Sequence, residues 1–422
     1  LEITPFEFYK DRTFNEFFST WNSSESKQSY GTFSISQPIV WTDGTLSLIN
    51  RLGWQDSFSE FQDFNSNTFS NNLYLSFNQP LFTYNRTKLQ LNELELDLEN
   101  AALSYAIQKL QITKTVTESF YAVYQQRMRL NISNDEYESQ KRNYELTQNK
   151  VDADILSRDE LYQAELNMLN SKMDLQNQEV TLQNQLDQFK QLIGMDILEE
   201  INLITDVSYN FVDVDLDKAI DHGVKNRMEL RQREINVENS QFNLIRTSAT
   251  NEFYGNLSVS VGLIGTDESF KDIYKRPEDN QQFSISFDIP LFDWGEREAR
   301  IKASETVIET NNLNLADERT GVIVSIRNVF RNLQNLEVQI ETSEISERNA
   351  QLSYDINLER YSIGDLTSFD LQQFQTQLSN AKLNRITALI SYKLELLNMK
   401  IQSLFDFENN SAVVPDINYI SE

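Results

Sequence analysis

The sequence predicts a mixed α+β membrane protein that contains two copies of one structural unit. Three observations lead to this prediction: an internal repeat, segments in which apolar and polar residues alternate, and longer segments in which apolar residues recur at every seventh position. The repeat relates Pro80-Leu81-Phe82 to Pro290-Leu291-Phe292, an offset of 210 positions. Without a gap, the same offset aligns further identical residues: Phe120 with Phe330, Tyr144 with Tyr354, Leu156 with Leu366, and Leu161 with Leu371. Such a match indicates a duplication within the chain.

The repeat divides the chain into seven predicted segments. They are an N-terminal segment (1–30), a first β-hairpin (31–85), a first long helical hairpin (86–194), a middle segment with an ascending helix (195–250), a second β-hairpin (251–295), a second long helical hairpin (296–404) and a C-terminal segment (405–422). The middle and C-terminal segments contain short apolar runs, Ile201–Ile204 and Ala412–Val414, and are predicted to form a belt around the helices. The aromatic residues of the N-terminal segment predict a truncated helix that packs on the other helices.

Composition restricts the function. The formal net charge is −27, from 64 acidic against 37 basic residues, which disfavours a nucleic-acid partner because that backbone is itself anionic. Cysteine is absent and His222 is the one histidine, so the sequence supports neither thiolate chemistry nor a multi-histidine metal site. We therefore predict no catalytic residues, no metal and no cofactor. Glycine and proline are scarce, with 11 and 6 residues, as long uninterrupted helices require.

Four segments have the alternation of strands with one face in an apolar medium. Leu257–Leu263 and Phe283–Ile289 alternate without a break, and Leu46–Leu48 and Leu73–Phe77 follow the same pattern. Polar loops are predicted at about 55–70 and 265–280. Aromatic residues cluster at the strand ends, as in the girdle of a membrane barrel: Trp41, Trp54, Phe58, Phe69, Phe82, Tyr84, Phe253, Tyr254, Phe270, Phe292 and Trp294.

Four strands are too few to close a barrel, since the smallest barrels have about eight. An open sheet edge is not tolerated in lipid. A membrane location therefore predicts that several chains pool their strands. The alternative is a water-soluble sandwich with one buried face.

After each second strand the period changes to seven. The predicted helix from about Arg86 to Lys150 would span ~95 Å at about 1.5 Å per residue. It carries two stripes: Leu89, Leu96, Leu103 and Leu110, and Leu91, Leu98, Tyr105 and Ile112. Positions two apart on a helix lie about 200° apart, so the stripes predict a neighbouring helix on each of two opposite sides. A two-stranded coiled coil needs only one seam, whereas a hollow helical cylinder needs two.

The returning helices follow the same rule. The residues of the seven-residue repeats are Leu161, Met168, Leu175, Leu182 and Phe189, with Leu166, Met173 and Val180 beside them, and Leu371, Leu378, Tyr392 and Met399 in the second copy. Arg385 interrupts this last stripe, and the sequence offers no reason for it. A strict seven-residue repeat predicts left-handed supercoiling.

With these elements in this order, the chain resembles the TolC-like outer-membrane factors, the exit ducts of bacterial tripartite efflux pumps and type I secretion systems. Three motifs carry the resemblance: the strand-to-helix junctions Gln79–Phe82 and Ile289–Phe292, the segment from Asp217 to Leu230, and the hairpin tip Tyr361–Leu371. The resemblance covers nearly the whole chain from about Gly31. The junction at Ile39–Gly44 most resembles versions from Bacteroidetes-type bacteria.

The resemblance implies a homotrimer with four strands per chain, and hence a twelve-stranded outer-membrane β-barrel continued in the periplasm by an α-helical coiled-coil barrel. It implies two partners, a periplasmic adaptor (membrane fusion) protein and an inner-membrane transporter. The implied function is passive export of small molecules, including drugs, or of an unfolded protein. A non-transport coiled-coil scaffold of the cell envelope is the alternative. A hydrolase using Asp159 and Glu160 is disfavoured, because adjacent residues on a helix point about 100° apart.

In this family the hairpin tips meet the adaptor protein. The resemblance assigns this contact to Ile363, Gly364, Asp365 and Thr367 in the second copy, and to Ala153, Asp154, Ile155 and Ser157 in the first. Glycine suits a tight reversal because it adopts positive φ at little cost. Asp154 replaces it in the first copy, and aspartate tolerates such a turn better than most residues.

Just inside the tip the family narrows its entrance with rings of acidic residues. Asp370 matches the first acidic position, Glu160 is its repeat mate, and Asp159 is a further candidate. Gln373 and Gln163 stand where a second acid is usual. Because a ring of carboxylates attracts cations, Asp370 is predicted to make the entrance cation-selective. The alternative is that these acids lie on a solvated helix face.

Overall fold

The structure is a computed structural model that describes residues 1–17, 19–60, 64–201, 203 and 210–413. In chain order, its elements are β1 (Glu2–Asn15), β2 (Thr20–Ile39), β3 (Gly44–Ser59), β4 (Phe64–Leu81), α1 (Arg86–Asp152), α2 (Arg158–Ile193), α3 (Leu216–Asn226), α4 (Met228–Ser248), β5 (Tyr254–Asp267), β6 (Glu278–Asp288), α5 (Glu296–Ile363), α6 (Ser368–Ser403), β7 (Phe405–Asp406) and β8 (Ser411–Ala412). The predicted apolar runs end at Ile204 and Val414, which lie outside the described residues.

The chain divides into two compact units. The first comprises Leu1–Glu99 and Ile235–Asn312, and contains the strands β1 to β6. The second comprises Asn100–Glu234 and the chain from Leu313 onward, and contains α2, α3, α6 and the small β7–β8 sheet. Each half of the predicted duplication contributes to both units.

Six strands form one antiparallel sheet in chain order, β1-β2-β3-β4-β5-β6. The prediction of a helix within residues 1–30 is wrong, because these residues form β1 and half of β2. Pro5 and a register shift between Thr4 and Glu7 interrupt the alternation by which β1 could have been recognised. Proline cannot donate a ladder hydrogen bond, and it is tolerated in an edge strand beside a bulge.

The sheet therefore has six strands where the sequence predicted four. Most of the predicted loop at 55–70 is also strand, since β3 continues to Ser59 and β4 begins at Phe64. Polar side chains in this region pair across the ladder: Trp54 Nε1 donates to Asn67 Oδ1 at 2.7 Å. The second predicted loop agrees with the structure, because β5 ends at Asp267 and β6 begins at Glu278.

The alternating residues place an apolar and a polar face on the two sides of the sheet. Across four strands, one row of paired residues is Ile35, Leu48, Leu75 and Val261, and the adjacent row is Ser36, Ser47, Ser76 and Ser260. Leu48, Leu75 and Val261 are exposed by 42%, 46% and 54%, so the chain itself leaves the apolar face open. The water-soluble alternative would require this face to be buried.

The two helical hairpins have nearly equal dimensions, as the duplication predicts. Helices α1 and α5 have 67 and 68 residues, and α2 and α6 have 36 each. Among the described residues, no helix combines the length and the apolar composition needed to cross a membrane.

The long helices bury one predicted stripe and expose the other. In α1, Leu89 and Leu103 are buried, and in α2 Phe189 is buried. The exposed stripes are Leu91, Leu98 and Ile112 in α1, Leu166, Met173 and Val180 in α2, and Val338, Ile345 and Leu352 in α5. In α1 and α2 the chain itself therefore covers part of one predicted stripe and leaves the other open, and the neighbour predicted on the second side stays a prediction.

An ion pair holds the chain just beyond the end of α6. Asp406 is buried and accepts a hydrogen bond of 2.6 Å from Lys400 Nζ. Burial disfavours the charged carboxyl, but the Lys400 ammonium and two N–H groups of Asn409 outweigh burial and lower the pKa of Asp406 from its ordinary 3.8 to about 2. A lowered pKa means that the folded state favours the ionised carboxylate.

We expect Asp406→Asn to lower the free energy of unfolding by about 2 kcal/mol at neutral pH, because the shift of the Asp406 pKa to about 2 measures the interaction lost. The stabilisation is complete above the unfolded pKa and is lost as the pH falls through the folded one. The stability difference between wild type and variant should therefore vanish as the pH falls from about 4 to about 2. Thermal unfolding over this range would test it, with Asp317→Asn, an exposed acid of α5, as the control. A constant difference would contradict the assignment.

Candidate functional site: the helical hairpin tips

Both hairpins reverse through the same turn. Gly364 follows α5 with a φ of 88°, and its repeat mate Asp154 follows α1 with a φ of 55°. The amide N–H of Asp365 donates to the carbonyl of Arg360 at 2.9 Å, and that of Ile155 donates to the carbonyl of Lys150 at 2.8 Å. The predicted need for positive φ at this position is confirmed, and an aspartate meets it in the first hairpin.

Polar caps begin the returning helices. The Ser157 hydroxyl accepts from the amide N–H of Glu160 at 3.4 Å, and the Thr367 hydroxyl accepts from that of Asp370 at 3.2 Å. The Thr367 hydroxyl also donates to Asp370 Oδ2 at 2.7 Å. Such caps satisfy N–H groups that the first helical turn leaves without partners.

All eight residues assigned to adaptor contact are exposed: Ala153, Asp154, Ile155, Ser157, Ile363, Gly364, Asp365 and Thr367. Two of them are large apolar residues, Ile155 at 67% and Ile363 at 78% exposure. The turns therefore present apolar side chains beside polar ones, which suits contact with another protein.

The three candidate constriction residues lie in different surroundings. Asp159 is exposed, whereas Glu160 and Asp370 are half-buried. Glu160 Oε2 accepts from the amide N–H of Ser368 in the second hairpin at 3.2 Å, while Asp370 is bonded to Thr367 of its own turn. The structure thus does not bring Asp159 and Glu160 into one shared arrangement.

The first hairpin also supplies a cation to the second. Lys150 Nζ donates to the carbonyl oxygen of Tyr361 near the end of α5 at 2.9 Å, and burial lowers the pKa of Lys150. A cation at a helix C-terminus and an anion at an N-terminus both oppose the helix dipole. Lys150 and Glu160 therefore stabilise both ends of the turn in the other hairpin.

The repeat mates of these two residues do not reach across. Arg360, the mate of Lys150, pairs with Asp365 at 3.5 Å in its own hairpin. Asp370, the mate of Glu160, accepts a hydrogen bond from the Thr367 hydroxyl of its own turn. The contact between hairpins is thus asymmetric, with both charges supplied by the first. The sequence prediction missed Lys150, whose signal was a basic residue in the last turn of α1.

Hydroxyl and amide groups continue this contact away from the turns. The Tyr361 hydroxyl bonds to the Thr147 hydroxyl, and the Tyr354 hydroxyl lies 2.5 Å from the Ser139 hydroxyl. Gln140 bonds to Gln372. Burial raises the pKa of both tyrosines. Much of the contact between the hairpins therefore consists of polar pairs.

The structure explains Arg385. Its Nη1 donates to Glu347 Oε2 at 3.1 Å across the seam between α5 and α6. Glu347 lies seven residues from each of the buried Ile340 and Tyr354, so it interrupts the α5 stripe as Arg385 interrupts that of α6. Paired polar groups inside a heptad seam fix the register of two helices.

Comparisons with known proteins agree with this architecture. Residues 219–400 match the family described as outer membrane efflux protein. None of the curated proteins matches the chain in sequence.

Several solved structures share the fold. The CmeC outer membrane channel of Campylobacter jejuni has a TM-score of 0.70 and 13% identity, with 93% of this chain and 79% of that one covered. VceC of Vibrio cholerae, an outer membrane protein, has a TM-score of 0.67 and 13% identity, with 89% and 87% covered. The open state of the MtrE outer membrane channel of Neisseria gonorrhoeae has a TM-score of 0.66 and 14% identity, with 90% and 80% covered.

The resemblance seen in the sequence is thus confirmed by a family match and by several structures. The family and the fold are those of transport channels rather than of enzymes. Residues 219–400 match the outer membrane efflux protein family, and the chain as a whole shares the fold of these outer-membrane channel structures.

Proposed function

We propose that the chain is one subunit of a trimeric exit duct in the outer membrane of a Gram-negative bacterium. The duct conducts substrates passively from the periplasm to the exterior, as the last part of a tripartite efflux pump or type I secretion system. The observation that carries this proposal is the sheet with one exposed apolar face and one polar face. A bilayer covers the first face, and water in a pore wets the second.

The open helical stripes support a trimer of identical chains. The stripe of α2 (Leu166, Met173, Val180) and that of α5 (Val338, Ile345, Leu352) are exposed in the single chain. Stripes with seven-residue spacing pack against other helices of the same kind. Three copies that close these seams form a hollow helical barrel in the periplasm, and their strands pool into a closed membrane barrel. It has twelve strands if each chain contributes the four predicted from sequence.

The exposed turns support docking of an adaptor protein. Ile155 and Ile363 present apolar side chains at the two tips. The adaptor in turn connects the duct to an inner-membrane transporter. Asp154 in place of glycine gives the first tip its own recognition surface. In the closed duct, Asp370, Glu160 and Asp159 narrow the entrance.

The membrane face distinguishes a duct from the alternative, a coiled-coil scaffold. A scaffold explains the helical stripes and leaves the apolar sheet face without a role. Aromatic residues support the membrane position: Trp41, Phe292 and Trp294 are exposed by 92%, 70% and 89%. Such residues occupy the boundary between lipid and water.

Ion conductance tests the function directly. The purified protein, added to a planar bilayer, should produce discrete conductance steps and remain trimeric in detergent. A protein that stays monodisperse without detergent and produces no conductance steps would contradict the proposed duct and favour the coiled-coil scaffold.

Asp370→Asn should reduce the cation preference of the open duct. Asparagine keeps an oxygen that can accept from the Thr367 hydroxyl, so the turn is retained while each subunit loses one charge. The reversal potential in a salt gradient would measure this, and Asp317→Asn in α5 is the control with the same charge change. An unchanged reversal potential would remove Asp370 from the constriction.

Lys150→Met should increase the fraction of time that the duct spends in its most conducting state. The Tyr361 carbonyl then loses its cationic partner, so the second hairpin is held less firmly by the first. Single-channel recordings would show longer open dwell times. Lys141→Met, an exposed lysine of the same helix, is the matched control. Equal dwell times in both variants would show that the Lys150 contact does not restrain the tips.

A further inference from the structure

We propose that Arg51 determines the charge selectivity of the barrel pore and that it favours small anions. This inference rests on the proposed function, since it takes the polar face of the sheet as the wall of a water-filled pore. The proposed entrance residue Asp370 carries the opposite charge. The duct would then contain two selective levels of opposite sign, one at the helical tips and one in the membrane barrel.

Arg51 lies on the polar face of β3, opposite Thr32 of β2 and Asn72 of β4. Along β3 it lies between two residues of the apolar face, Leu48 of the exposed apolar row and the aromatic Trp54. Each is three positions away, or about 10 Å at about 3.3 Å per residue. In the proposed duct, Arg51 therefore lies at a height that the bilayer covers, where a cation is tolerated if it faces water rather than lipid.

The charge of Arg51 is isolated. Along the described strands β2 to β5, it is the one charged residue on the polar face. The nearest acids in its row of paired residues are Glu2 of β1, two strands away, and Glu278 of β6, three strands away. With about 4.8 Å between strands, these lie about 10 and 14 Å across the sheet. Both distances exceed the Debye length of about 8 Å at physiological ionic strength, so neither acid neutralises the arginine.

Tyr30 holds the guanidinium at the wall. The Cζ atom of Arg51 lies 4.2 Å from the centre of the Tyr30 ring, which is within the range of a cation–π contact. Arg51 is nevertheless exposed, and it forms no ion pair with any described residue. A guanidinium presents its N–H donors in a planar fork that suits carboxylate and phosphate groups. Its charge and its donors thus remain available to an anion in the pore.

The alternative is that Arg51 only stabilises the sheet by packing on Tyr30. An arginine that joins strands by charge would have a carboxylate opposite it, but Thr32 and Asn72 are both neutral. The two roles also depend on different properties of the side chain. Selectivity follows the sign of the charge at position 51, whereas sheet stability follows the contact with the ring. Measuring the reversal potential separates them.

Reversal potentials in a salt gradient across a planar bilayer test the proposal. Arg51→Gln should shift the reversal potential towards cation preference, and Arg51→Lys should keep the wild-type value. The shift should be present at about 0.1 M salt and lost at about 1 M, because the Debye length falls from about 10 Å to about 3 Å. Lys27→Gln is the matched control, since it removes an equal charge from the opposite face of the sheet, and it should cause no shift.

Charge added to the assembled duct tests the same position without a folding step. The chain contains no cysteine, so Arg51→Cys can be labelled in the conducting channel with charged methanethiosulfonate reagents. A trimethylammonium reagent should restore the anion preference, and a sulfonate reagent should increase the cation preference. Leu52→Cys, on the apolar face, is the control, and neither reagent should change its conductance.

Two outcomes would overturn this inference while leaving a duct in place. One is a conducting trimer in which Arg51→Gln has the wild-type reversal potential at low salt. The other is a labelling pattern in which Leu52→Cys responds to the reagents and Arg51→Cys does not, since the polar face would then not line the pore. Protein that neither forms trimers nor conducts ions would instead overturn the proposed function together with this inference.

Discussion

One constraint determines most of this structure: the folded chain has more regularly arranged apolar surface than its own residues can bury. On the sheet this surface is a plane, with Leu48, Leu75 and Val261 in one exposed row. On α2 it is a stripe of residues at seven-residue spacing. Apolar surface arranged so regularly marks an interface, and its shape identifies the partner. A plane suits lipid, and a heptad stripe suits another helix, so one chain carries two different kinds of interface.

Local periodicity of apolar residues made much of the fold predictable. Where this periodicity is absent, the strands could not be recognised from the sequence. A strand with unlike faces has period two and a helix between two neighbours has period seven, so β5, α1 and α2 were recognised from residues alone. Beyond Trp54 in β3 and Phe69 in β4, polar residues occupy both faces of the sheet. Apolar and polar residues no longer alternate there, so the sequence predicts a loop where the structure has strand. The first strand was missed because Pro5 and the adjoining bulge shift the alternation.

In the candidate site, too, some features could be predicted from the sequence and others could not. The turn at Gly364 follows from its residue type, and the repeat transfers it to Asp154. The bond from Lys150 to the Tyr361 carbonyl joins residues 211 positions apart, and no local pattern reveals it. The partner of Arg385 could have been found, because Glu347 interrupts the α5 stripe at Ile340 and Tyr354 as Arg385 interrupts its own. When α5 and α6 are aligned as a hairpin, a polar residue that interrupts each apolar stripe at the same height predicts a polar pair between the two helices.

The two hairpins of the duplication have the same turn, but the corresponding residues of the two turns make different contacts. Lys150 and Glu160 of the first hairpin bond to the second, whereas their mates Arg360 and Asp370 bond within their own turn. If the first hairpin moves away, the end of α5 loses the charge of Lys150 and the start of α6 loses that of Glu160. The Thr367 cap within the second turn remains. The second turn therefore stays folded whether or not the hairpins touch. Separating the hairpins would break these two charged contacts together with the polar pairs of Tyr361 with Thr147, Tyr354 with Ser139 and Gln140 with Gln372.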